Sequence, residues 1–144
     1  MTLQIRELAG DRPMAPRENT FTREFWHALD EGRFLVSQCD ACGHLSFPPK
    51  RVCPRCTSAD MQWRELGGRG RLYSLTRVHA GPPRFADEMP YAVAIVDLDE
   101  GVRLVTRMLD AAGFDDLDKA IELVALRYSD GMSFGARLCG DGDV

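Results

Sequence analysis

Four cysteines stand in the pattern Cys39-x2-Cys42-x10-Cys53-x2-Cys56. Each Cys-x-x-Cys turn aims two thiolates at one point, and two such turns close a tetrahedron of sulfurs, the donor set of a structural Zn2+ site. All four positions come from protein, so no place is left for water or substrate. Such a metal organises a short piece of chain and performs no chemistry on a ligand. Tetrahedral sulfur also suits iron, but the short spacer and the Cys53-Pro54-Arg55-Cys56 knuckle point to zinc. His44 adjoins the first knuckle, and its expected place is beside a site already filled by four cysteines.

The other candidate groups are sparse. The histidines are His27, His44 and His79. There is no nucleophile elbow, no His-Glu metal helix and no phosphate loop with its lysine. Cys139, in Leu138-Cys139-Gly140, has no base beside it and reads as a small apolar residue. No activity is expected of the chain alone.

Composition sets the frame for these groups. At 144 residues, with 44% hydrophobic and 28% charged residues, the chain suits one ordinary soluble domain or two very small ones. No apolar run approaches the roughly 20 residues that cross a bilayer. Met1 to Thr20 has no signal core and carries Glu7 and Asp11, so a cytoplasmic address and no membrane contact are expected. Net charge −4 and pI 5.3 weigh against a general nucleic-acid binder. The basic residues are arginines apart from Lys50 and Lys119, a bias that fits either phosphate contacts or a G- and C-rich genome.

Three regions must position the site. Residues 1–32 read as an arm, broken by Pro13 and Pro16, then a helix from Thr20 to Glu31 that Asn19 or Thr20 caps and Gly32 stops. Phe21, Phe25, Trp26 and Leu29 share one face of this helix, which must therefore dock on the rest of the chain or on a partner. Residues 33–66 hold the cysteines, with Gly43 ready for a left-handed turn and Trp63 and Leu66 as cover. This segment has little apolar core, so metal is expected to supply much of its stability. After Gly67-Gly68-Arg69-Gly70 the period becomes two. Arg71–His79, Tyr91–Leu98, Val102–Met108, Ile121–Tyr128 and Met132–Leu138 read as five strands within residues 67–144, the last pair turning at Asp130-Gly131. On a regular first strand Leu72, Ser74, Thr76 and Val78 share one face, and Tyr73, Leu75 and Arg77 the other. The composition of Leu117 to Arg127 also supports a helix. The expected fold is mainly β: an N-terminal helix, a rubredoxin-like zinc ribbon, and a five-stranded OB-fold barrel.

The order of these parts resembles the DUF35 family, the zinc-ribbon OB-fold proteins associated with acyl-CoA. The likeness is carried by Phe25-Trp26, Glu31-Gly32-Arg33, the two knuckles, Phe47-Pro48-Pro49, Gly68-Arg69-Gly70-Arg71-Leu72-Tyr73-Ser74, and the run from Pro90 to Gly101. It spans about residues 21 to 109. After Leu109 the family's Ile-Gly-Met-x-Val stretch is replaced by Lys119-Ala120-Ile121-Glu122-Leu123.

The resemblance implies an accessory subunit that binds a thiolase-fold enzyme, or a related hydratase or aldolase, and helps it handle a CoA thioester. It implies a heterotetramer with two copies of each chain, and a catalytic nucleophile that belongs to the partner. Structural Zn2+ on Cys39, Cys42, Cys53 and Cys56 is expected, with acyl-CoA as a ligand. Arg71, Arg77, His79, Phe85 and Arg103 are the candidate acyl-CoA contacts, because arginine grips phosphate and His79 could orient a thioester carbonyl. The same residues also read as an ordinary sheet surface and a strand-end histidine. Arg71 and Arg77 share a face if their strand is regular. Phe25, Trp26 and Phe85 are the candidate partner contacts. The alternative is a single-stranded nucleic-acid module stacking bases on Tyr73 and Tyr91, which the acidic residues of the barrel half disfavour.

Overall fold

Gly67 and Gly68 join one sheet to the other, and just beyond them, inside the next strand, a Cβ at Gly70 would stand 2.1 Å from the Asp97 carbonyl oxygen of the neighbouring strand. The computed structural model describes residues 2–13, 15–81, 83 and 91–139. Phe85, expected to touch both acyl-CoA and a partner, lies outside the described residues. The elements are β1 Gln4–Glu7, α1 Arg23–Asp30, β2 Phe34–Cys39, β3 Leu45–Ser46, β4 Met61–Leu66, β5 Arg69–Val78, β6 Tyr91–Leu98, β7 Arg103–Met108, a 3-10 turn Phe114–Asp116, β8 Ala120–Tyr128 and β9 Gly131–Leu138.

β3, β2 and β4 form the small sheet, in that order. In the larger one β8-β5-β6-β7-β9 follow one another and β9 returns to β8, which closes a five-stranded barrel. Its pairings are antiparallel except β7–β9, which run parallel and meet at Met108 and Ala136. This is the expected helix, ribbon and OB barrel. Alternation explains β6, where Ala92, Ala94, Val96 and Leu98 point inward. It fails on β8 for a physical reason. Ile121, Leu123 and Ala125 enter the main core, while Val124, Leu126 and Tyr128 are covered from outside by Leu8 and Leu109. A strand buried on both faces has no period of two, so its composition also resembled a helix.

Two expectations change. The first concerns β5, which is not regular: its pairing with β6 slips between Leu72 and Ser74, leaving Tyr73 as a bulge. One extra residue reverses the faces beyond it. Leu72 and Leu75 therefore both point inward, at 1% and 8% exposure. Arg71 pairs with outward-facing Asp97 and Arg77 with inward-facing Ala92, so the two arginines lie on opposite faces. The second concerns the arm, which contains a strand. β1 runs parallel to β8 from Gln4↔Val124 to Glu7↔Arg127. Beyond it the Arg12 guanidinium donates to the carbonyls of Asp130 and Met132, and the Arg12 N–H donates to the Asp130 carboxylate. The arm is thus tied to the β8–β9 hairpin.

Four phenylalanines unite the parts. Phe25 of α1, Phe34 of β2, Phe47 of the ribbon and Phe134 of β9 stand with all their ring centroids 5.2–6.3 Å apart. Asn19 starts the helix that delivers Phe25: its Oδ1 accepts from the N–H groups of Phe21 and Thr22. Phe34, Leu35, Val36 and Leu66 of the ribbon belong to the same buried cluster as the barrel residues. The ribbon thus has an apolar base that the sequence did not suggest. Phe34→Ala should cost about 3–5 kcal/mol. In equilibrium denaturation, tryptophan emission, which reports on helix and ribbon, and far-ultraviolet dichroism, which reports on the sheets, should shift together. Separate transitions in the unmodified protein would show that the cluster does not couple the two sheets.

Candidate functional site

β2 ends at Cys39, which pairs with Met61 at the start of β4, so the small sheet carries both knuckles beyond its tip. The knuckles repeat one hydrogen-bond pattern. Gly43 N–H donates to the Cys39 carbonyl at 2.8 Å, and Cys39 N–H to that of His44 at 2.9 Å. Thr57 N–H donates to the Cys53 carbonyl, and Cys53 N–H to that of Ser58, both at 2.9 Å. The residue closing each turn is left-handed, with φ of 81° at Gly43 and 64° at Thr57. Glycine takes this conformation freely, whereas a β-branched residue does so under strain. Sequence inspection identified Gly43 and missed Thr57, although both follow the second cysteine of a knuckle.

The four sulfurs lie within 4.8 Å of one another, with Cys39 to Cys56 at 3.5 Å and Cys42 to Cys53 at 3.7 Å. A regular tetrahedron with metal–sulfur bonds of about 2.3 Å has edges of roughly 3.8 Å, so the cage has the dimensions of a Zn2+ site. Cys39 and Cys53 are buried, while Cys42 and Cys56 face solvent. Backbone donors favour thiolates here. The Cys42 N–H leads in lowering the Cys39 pKa. Burial opposes ionisation of Cys53, yet the N–H groups of Cys56 and Arg55 and the neighbouring thiols bring it down to about 7. At Cys56 the Ser58 N–H favours the thiolate, but Cys39, burial, Cys42 and Cys53 outweigh it and push the thiol up to about 12. Like charges this close need a cation between them before all can ionise. Zn2+ held by these four residues would cross-link the two loops.

Among the described candidate acyl-CoA residues, Arg71 and Arg77 stand apart. Arg71 and Arg77 are six residues apart on β5, about 20 Å at some 3.3 Å per residue. Each spends a donor on the connection between β7 and β8: Arg71 on the Asp118 carbonyl and Arg77 on that of Ala112, both at 2.8 Å. Arg103 grips both oxygens of Asp97, at 2.6 and 3.0 Å, and holds that carboxyl below the usual range. Its guanidinium also covers one face of Tyr73 at 3.7 Å from the ring centroid. Arg77 borders a cleft of about 220 Å³ with Tyr91 and Arg107. His79 is exposed beyond the end of β5.

The candidate partner contacts are also rearranged. Phe25 is 2% exposed and forms part of the phenylalanine cluster, so it is a core residue here and not a surface contact. Trp26 is half-buried against it, edge to face at 4.8 Å. Phe21 stacks on Trp63 of the ribbon at 5.1 Å. Among the described residues no helix is long and apolar enough to cross a membrane.

Comparison with known proteins gives two adjoining family matches. Residues 26–62 match the model described as "ChsH2, rubredoxin-like zinc ribbon domain", and residues 63–122 that described as "ChsH2, C-terminal OB-fold domain". A DUF35 domain-containing scaffold protein of Methanothermobacter thermautotrophicus is 35% identical over 93 residues, 63% of this chain and 70% of that protein. A probable enoyl-CoA hydratase alpha subunit of Thermomonospora curvata is 42% identical over 101 residues, 70% of this chain and 30% of that protein. The chain thus spans under a third of that relative's length. The benzoylsuccinyl-CoA thiolase subunit BbsA of Thauera aromatica is 31% identical over 86 residues, 60% of this chain and 58% of that subunit. Among solved structures, the Ltp2-ChsH2(DUF35) aldolase contains a chain 32% identical to this one, with a TM-score of 0.75, over 88% of this chain and all of the other.

Two outcomes follow from the cage. Complete chelation should remove amide protection from residues 39–60, while the barrel strands keep theirs; unchanged protection at 39–60 would mean that the protein alone orders the sulfurs. Thr57→Gly should relieve left-handed strain and stabilise the knuckle by about 1 kcal/mol. A lower zinc dissociation rate, followed with a chromophoric chelator, would register the gain.

Proposed function

The chain belongs to the DUF35 family, and we propose that it is a zinc-stabilised scaffold subunit that binds a thiolase-type enzyme acting on a CoA thioester. In this reading Cys39, Cys42, Cys53 and Cys56 hold one structural Zn2+, and the carbon–carbon bond chemistry belongs to the partner. The observation that carries it is the agreement between a closed four-thiol cage on an OB barrel and relatives that include a thiolase subunit and the DUF35 portion of an aldolase. A cage with every donor supplied by protein supports a structural role for the metal. The cleft beside Arg77 and Arg107 offers two guanidinium groups to a CoA phosphate, next to Tyr91 and with Asp110 also on its wall. The function is thus shared between two chains: this one gives shape and a ligand surface, the other the nucleophile.

The test is purification of the tagged full chain from its own host. A thiolase-fold subunit should accompany it in stoichiometric amount, with one zinc per copy of this chain. Turnover of an acyl-CoA by that subunit should fall when this chain is withheld, and Cys53→Ser should reduce recovery of the complex. A metal-free monomer that turns over an acyl-CoA unaided would overturn the proposal.

A further inference from the structure

The connection between β7 and β8 displays an aromatic side chain that none of the described residues covers. Phe114 is 79% exposed, and Leu117, three residues on, is 39% exposed. Leu117 caps the 3-10 turn that Phe114 begins, and residues three apart around such a turn lie on the same side, so the two form an apolar ridge. The ridge continues to a cleft of about 340 Å³ where Leu117 meets Tyr73, itself 53% exposed.

This segment is held rigidly. Asp116 accepts from the Gly113 N–H at 2.9 Å and from the Lys119 ammonium at 2.9 Å. Asp118 N–H donates to the Leu72 carbonyl at 2.7 Å, and Leu72 N–H to that of Lys119 at 3.0 Å. Arg71 and Arg77 brace its two ends from β5, and Ala112 is buried beneath it. A large aromatic held out to solvent on a braced turn loses little conformational freedom when it is covered, which is the property of an interface anchor. Asp115 and Asp118 flank the ridge and are exposed, and Asp99 lines the same cleft as Leu117; against them stand Arg71 in that cleft and exposed Lys119, the latter paired with Asp116, so the rim is acidic on balance. An apolar ridge within an acidic rim is complementary to an apolar pocket rimmed by lysine or arginine.

We infer that Phe114 and Leu117 are the anchor by which this chain docks into a basic-rimmed apolar pocket of its enzyme subunit. The inference rests on the proposed scaffold function and locates the contact on the barrel, away from the helix.

The experiment measures affinity of the purified enzyme subunit for this chain and three variants. Phe114→Ala should weaken the complex about 10- to 100-fold, the worth of one buried aromatic side chain. It should leave thermal unfolding of the free chain unchanged, because the ring is already in water. Asp115→Lys should slow association and weaken its dependence on salt. Val105→Asp, at a residue 61% exposed on β7, should leave affinity unchanged. A subunit that binds Phe114→Ala as tightly as the native chain overturns this inference and leaves the scaffold reading standing, as does loss of a self-association of this chain in place of enzyme binding. Absence of any enzyme subunit in the native complex overturns both.

Discussion

The packing of Phe25, Phe34, Phe47 and Phe134 holds the molecule together. Each ring comes from a different part of the chain, and each touches the other three. A small three-stranded sheet has too little apolar surface to stand alone. Here it borrows the barrel's core, and the helix closes the junction. The orientation of the cysteine cage relative to the barrel is therefore set by aromatic packing and by the short Gly67-Gly68 crossing, with no reliance on a long linker.

The cage works on different physics. Its thiols are poised by backbone N–H groups, and their mutual repulsion calls for a divalent cation. Apolar packing thus secures the base of the ribbon, and a metal held by the four sulfurs would secure its tip. With this division the exposed tip can be ordered without a hydrophobic core of its own. The strain at Thr57 fits the same picture: a left-handed turn is tolerated where the sulfurs on either side must converge.

The barrel surface spends its arginines on structure. Arg71 and Arg77 brace the β7–β8 connection, Arg103 clamps Asp97 and covers Tyr73, and Arg12 ties the arm to the last hairpin. Guanidinium groups suit this work because several fixed donors can reach carbonyl oxygens that strands leave unpaired. The consequence is a rigid face from which the Phe114 turn projects.

Much of this was legible in the residues alone. The cysteine spacing, the change of period after Gly70 and the turn signal at Asp130-Gly131 are local features, and local features yield elements, their order and the donor set. Other facts depended on which residues meet across the fold. A bulge at Tyr73 exists only in the pairing of β5 with β6, so no periodicity in one strand could show that Arg71 and Arg77 part company. The arm forms a strand only because β8 offers an edge. Phe25 and Phe114 are the same residue type, one on a strongly amphipathic helix and one in an acidic loop. Sequence left the first to dock on the rest of the chain or on a partner, and passed over the second. Tertiary packing buried the first and left the second exposed, because burial is decided by the neighbours that arrive from distant parts of the chain.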